Sequence, residues 1–171
     1  MSLLYNDKRI NKSHACAYTS KLLMQAETNI VENMPHQQRR EMRKMMIACF
    51  LGTDMSRHFD VLTKFKLRVE TEEFSMDTPA DRALLMTVLV HCADISYCCR
   101  PPPVAAKWAE LKLDEMWRQG DTEKTFEIPV SNERVEGAEQ KVAAIAAMQA
   151  DFCDYVVGPV FGEQALKRSL H

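Results

Sequence analysis

The chain has 171 residues, enough for one domain with a sizeable buried core. Twenty-two Lys+Arg stand against 24 Asp+Glu, a formal charge of −2, and a balance this even argues against a polyanion binder, which needs a basic excess to neutralise phosphates. Composition is globular, with 46% hydrophobic and 27% charged residues, and only 5 Gly and 7 Pro beside 11 Met exclude a turn-rich sandwich or barrel.

The first nine residues, Met1 to Arg9, lack the long apolar stretch of a signal peptide, and the rest of the chain has no run of 18 apolar residues. A cytoplasmic setting with no membrane segment is therefore expected. The six cysteines, with no C-x-x-C spacing, read as free thiols and not as a zinc site. From Ile10 to Met24 apolar residues fall three and four apart, as an amphipathic helix requires. Pro35 opens a second long helical segment running past Met55, one helix or two, broken near Gly52. The polar stretch Glu70 to Thr78 has no period and reads as a loop. Pro79-Ala80-Asp81 starts a helix that is nearly all apolar from Ala83 to Ala93, as a central bundle helix is. Arg100-Pro101-Pro102-Pro103 marks a sharp break. Val104 to Arg118 is helical again, with Gly120 as its expected C-terminal cap. Residues 121–131 look irregular, and Ser131 or Asn132 is expected to cap a last long helix ending near Gly158-Pro159. The reading is a single all-α domain of about five to seven helices.

No phosphate-binding glycine loop, H-E-x-x-H or nucleophile elbow is present, so chemistry must come from polar residues inside apolar helix. Asp94, three residues after His91, ends the apolar helix. A buried carboxylate there needs a partner, either a hard divalent metal or, more commonly, an arginine or a neighbouring helix end. Asp54 and His58 are one turn apart, and a salt-bridged pair is the simpler reading. Gln149 and Phe152 share a helix face; an amide can read the edge of a nucleobase while a ring stacks on it, although such pairs are usually packing.

In order, Thr53-Asp54-Met55-Ser56-Arg57-His58, His91-Cys92-Ala93-Asp94-Ile95-Ser96, Trp108 with Arg118-Gln119-Gly120-Asp121, and Gln149-x-x-Phe152-x-Asp154-Tyr155 resemble the catalytic domain of class I cyclic nucleotide phosphodiesterases. Leu4-Tyr5-Asn6-Asp7 and Arg43-Lys44-Met45 add to the likeness, which covers residues 4 to 166. The resemblance implies hydrolysis of the cyclic phosphate of cAMP or cGMP to the 5′-monophosphate, with zinc and magnesium (or manganese) as cofactors and a histidine as general acid. It implies that Asp94 is a metal ligand, that Gln149 reads the purine, that Phe152 and Ile95 flank the base, and that Met55 lies between metal site and base pocket.

The chain also departs from the family. No His-Asp dipeptide occurs, so the resemblance places the catalytic histidine and three of the four protein metal ligands upstream of Met1. The expectation is a C-terminal portion of the domain, inactive by itself, because one carboxylate binds metal weakly. Ser13-His14-Ala15 keeps one histidine of the family's Asn-His-His, which leaves His14 as a catalytic candidate. Tyr97 stands where asparagine is common, Lys112 where an apolar pocket residue is usual, and Ser131-Asn132-Glu133-Arg134 replaces a Ser-Pro loop. The expected partners are a cyclic nucleotide, no nucleic acid, and a second copy of the chain through exposed apolar faces. The alternative is a catalytically dead helical module that binds nucleotide or a protein partner.

Overall fold

A computed structural model describes residues 1–71 and 73–161. The fold is all-α, with no strand among the described residues. It divides into two compact units, Met1–Asp94 and the residues from Ile95 onward.

The first unit opens with the single turn α1 (Ser2–Tyr5) and α2 (Ile10–Leu22). Next come α3 (His36–Gly52), capped by Pro35, and α4 (His58–Glu70), separated by a short 3₁₀ turn at Met55–Arg57. The break expected near Gly52 therefore produces two helices. Asp54 explains where the second begins: its Oδ1 accepts from the backbone N–H and hydroxyl of Ser56, at 2.9 and 2.7 Å, which fixes the chain entering the turn.

Helix α5 (Pro79–Ile95) runs antiparallel to α4, and polar contacts latch the pair at both ends. At one end the Arg68 guanidinium donates from Nε and Nη2 to the two Asp81 oxygens at 3.0 and 2.8 Å. At the other, His58 Nδ1 lies 2.8 Å from His91 Nε2. By length and mean hydropathy alone the segment Pro79–Cys99 would suffice to cross a membrane, although Asp81, Arg82 and Asp94 interrupt it, so no 18-residue stretch is wholly apolar. Core helices pass the same test but are mostly buried, whereas 17% of the 18-residue window in this segment is buried; on the same helix Asp81 and His91, at 3% and 0% exposed, are held by protein partners.

The second unit starts with a 3₁₀ turn at Ser96–Cys99 and continues with α6 (Pro102–Thr125). The break after Ile95 is shorter than expected. Only Arg100 and Pro101 leave the helix, while Pro102 and Pro103 occupy the first turn, where a missing N–H costs nothing. Ala109, Leu113, Trp117 and Gly120 form the buried face of α6. Gly120 is thus helix interior and not a cap, and the helix extends to Thr125. A Cβ at Gly120 would collide with the carbonyl oxygen of Asn132, so the glycine is there to let the returning loop approach.

That loop is tied back to α6. Arg134 donates to Asp121 from Nε and Nη2, at 3.0 and 2.7 Å, and its guanidinium lies 5.2 Å from the Trp117 ring centre. Ser131 donates from its N–H and hydroxyl to Glu123. Ser131 and Asn132 therefore serve α6, and the last long helix, α7 (Ala138–Phe152), begins after Gly137 at φ 95°. A wide π turn over Cys153–Val157 leads into the short α8 (Gly158–Phe161).

Candidate functional site

In the first unit, Asp94 sits near the end of α5 with its side chain 50% exposed, and Lys12 of α2 donates to its Oδ2 at 3.5 Å. The carboxylate is not buried, and its cationic partner is a lysine instead of an arginine. No group of three His, Cys, Asp or Glu side chains placed to hold a metal occurs among the described residues. One half-exposed carboxylate beside an ammonium does not fit a dication, which needs several converging anionic or neutral ligands. Met55 begins its turn 46% exposed. His14 is exposed; its Nδ1 is 3.3 Å from the Tyr5 hydroxyl and its ring stacks on Tyr18 at 6.3 Å.

His58 does not pair with Asp54. Asp54 is taken by Ser56, which holds its carboxyl below the usual range, while His58 turns inward to His91. Burial pushes both imidazoles below their ordinary pKa, so both rings are neutral near pH 7. His58 Nε2 and His91 Nδ1 have no hydrogen-bond partner among the described residues.

In the second unit, Gln149 and Phe152 project from one face of α7, and both meet Tyr97 of the 3₁₀ turn. Gln149 Nε2 donates to the Tyr97 hydroxyl oxygen at 3.1 Å. The Tyr97 and Phe152 rings stack with centres 5.4 Å apart and planes inclined by 27°. The Lys112 ammonium of α6 lies 5.3 Å from the Tyr97 centre and 5.0 Å from the Phe152 centre, within cation–π range of both. Ile95 is 3% exposed. Burial pushes the Cys98 thiol up to about 11, so it is no nucleophile at neutral pH.

Sequence reasoning paired Gln149 with Phe152 but missed Tyr97 as the residue both contact. The signal was a large aromatic directly after Ser96, where a small polar residue is usual. It equally missed the His58–His91 contact, which joins residues 33 apart. A cavity of about 480 Å³ between α2 and α3 is lined by Leu23, Met24, Met42 and Met46 with Arg39 and Arg43, and none of the expected site residues lines it.

The sequence pattern described as 3'5'-cyclic nucleotide phosphodiesterase matches residues 1–168. A 3′,5′-cyclic-AMP phosphodiesterase of Drosophila melanogaster (isoform F) is 34% identical over 167 residues, covering 94% of this chain and 25% of the relative. The phosphodiesterase domain of the RhoPDE fusion protein from the choanoflagellate Salpingoeca rosetta superposes with a TM-score of 0.86 at 24% identity, covering 99% of this chain and 52% of that one. LmjPDEB1, solved in complex with IBMX, gives a TM-score of 0.82 at 28% identity, covering 93% and 46%. The chain thus spans about a quarter of the curated relative and about half of each solved structure.

Proposed function

Because this chain belongs to the 3′,5′-cyclic nucleotide phosphodiesterase family, we propose that it supplies the base-recognising part of a domain that hydrolyses 3′,5′-cyclic nucleotides, cAMP foremost. The cAMP-hydrolysing relative supports that substrate. The observation that carries the reading is the shared face of Gln149 and Phe152, an amide and a ring that already hold an aromatic group by its edge and its face. In this reading Gln149 donates to the purine edge and Phe152 stacks on its plane. Ile95, buried at the start of the same unit, would back this site as apolar packing.

Such two-metal chemistry would need divalent metals to activate the attacking water. The described residues of this chain do not by themselves fit a metal centre, so its own contribution is binding and orientation. The chain alone is expected to leave cAMP and cGMP intact with zinc and magnesium added; robust turnover would overturn this. Saturation-transfer NMR with cAMP tests the base site. Transfer should be strongest at the purine H2 and H8 protons and lost in Gln149→Ala and Phe152→Ala. Absence of transfer in the unmodified chain would refute the assignment.

A second reading, a non-catalytic nucleotide-binding module, is favoured by Lys12, whose ammonium stands where a metal would have to meet Asp94. The exposed Met86, Leu89 and Val90 of α5 support the further proposal of self-association.

A further inference from the structure

We propose that Tyr97 is a built-in occupant of the base site: its ring takes the face of Phe152 and its hydroxyl takes the amide of Gln149, so a purine enters only after Tyr97 leaves. This inference rests on the reading of Gln149 and Phe152 as the base-recognising pair.

A purine offers two features to such a site, a flat π face and a polar edge. A phenol offers the same two. The Tyr97–Phe152 separation of 5.4 Å and inclination of 27° lie within the range of stacked aromatic pairs. The 3.1 Å bond from Gln149 Nε2 uses the donor that would otherwise face a base nitrogen or carbonyl. The Phe152 face on that side is covered by Tyr97. Burial also raises the phenol pKa, so the hydroxyl remains neutral and the amide does not meet an anion.

Lys112 holds the pair together. Its ammonium is nearly equidistant from the two ring centres, at 5.3 and 5.0 Å, so it attracts both rings at once. Swinging Tyr97 out forfeits the stack, the hydrogen bond and one of the two cation contacts. A site that is open in only a fraction of molecules binds its ligand more weakly by that same fraction. With the site open in about one molecule in ten, the apparent affinity for nucleotide falls about tenfold. Tyr97 therefore sets affinity and selects against ligands that cannot displace a stacked ring.

The test measures binding of ribose-labelled 2′-O-methylanthraniloyl-cAMP to the full chain by fluorescence anisotropy. Tyr97→Asn should bind about tenfold tighter than the unmodified chain. Tyr97→Phe keeps the ring and loses only the hydroxyl, so it preserves the packing and should bind about threefold tighter. Adding Gln149→Ala to Tyr97→Asn should cancel the gain. Circular dichroism melts establish that each variant is folded, and Tyr97→Phe carries the test if Tyr97→Asn does not fold. Equal affinity for the unmodified chain, Tyr97→Phe and Tyr97→Asn would overturn Tyr97 as occupant while leaving the base site standing. Absence of binding by every folded variant would overturn both the base site and this inference.

Discussion

His58 Nδ1 lies 2.8 Å from His91 Nε2, and the other nitrogen of each ring is buried without a partner among the described residues. One ring donates to the other, so the contact requires at least one neutral imidazole. Burial lowers both pKa values, and the unfolded chain then binds more protons than the folded one below the ordinary imidazole pKa of about 6.5. Stability is complete above that pH and falls as pH drops through it towards the lower folded values. Melting temperature should be level above pH ~7.5 and decline between pH ~6.5 and ~5. His91→Gln should flatten that slope, and a level profile in the unmodified chain would contradict the buried neutral pair.

Asp81 titrates in a separate window. Its bond to Arg68 holds the carboxyl below its usual pKa, so this stabilisation is present above the unfolded carboxylate value of about 3.9 and is lost as pH falls below it. Asp81→Asn should lower the melting temperature at pH 7 and make the acid limb shallower. An unchanged acid limb in that variant would show that the latch contributes nothing.

Gly120 and Gly137 should respond differently to alanine. At Gly120 the added carbon meets the backbone carbonyl of Asn132, which can yield only if the whole loop moves. The expected cost is roughly 2–3 kcal/mol, a drop of about 4–12 °C in melting temperature for a chain of this size. At Gly137 the φ of 95° is the problem and the near neighbour is the flexible tip of Gln140, so about 1 kcal/mol is expected. Thermal melts that rank Gly137→Ala below Gly120→Ala would contradict the close approach.

Trp117 and Trp108 form an internal control on α6. Trp117 is 4% exposed and is covered by Arg134 and Lys141, whereas Trp108 is 53% exposed. Trp117→Ala should cost about 3–5 kcal/mol and Trp108→Ala under about 0.5 kcal/mol, read from urea denaturation midpoints. Similar midpoints for the two variants would contradict the packing described for α6.

Periodicity made the helices legible because apolar spacing is a local property. It placed α2, the start of α3, the break near Gly52 and the start of α5 close to where they stand. It failed wherever a distant residue decides. Gly120 resembles a helix stop by composition, yet it is an interior residue whose small size serves Asn132, twelve positions on. Ser131 resembles a helix cap, yet it serves Glu123. Spacing paired His58 with Asp54, one turn away, because spacing carries no information about His91. Gln149 and Phe152 were legible as a pair by their three-residue separation; their common partner Tyr97, 52 residues from Gln149, was not.

The wide turn at Cys153–Val157 acts as a one-residue phase shift between α7 and α8. An extra residue in a helical path rotates everything after it by about 100°. The residues of α8, Gly158–Phe161, cannot be assigned to the Gln149–Phe152 side by counting in threes and fours from α7. A chimaera spliced inside this turn must keep its five-residue count, since deleting one residue would swing the downstream segment a quarter-turn or more around its axis.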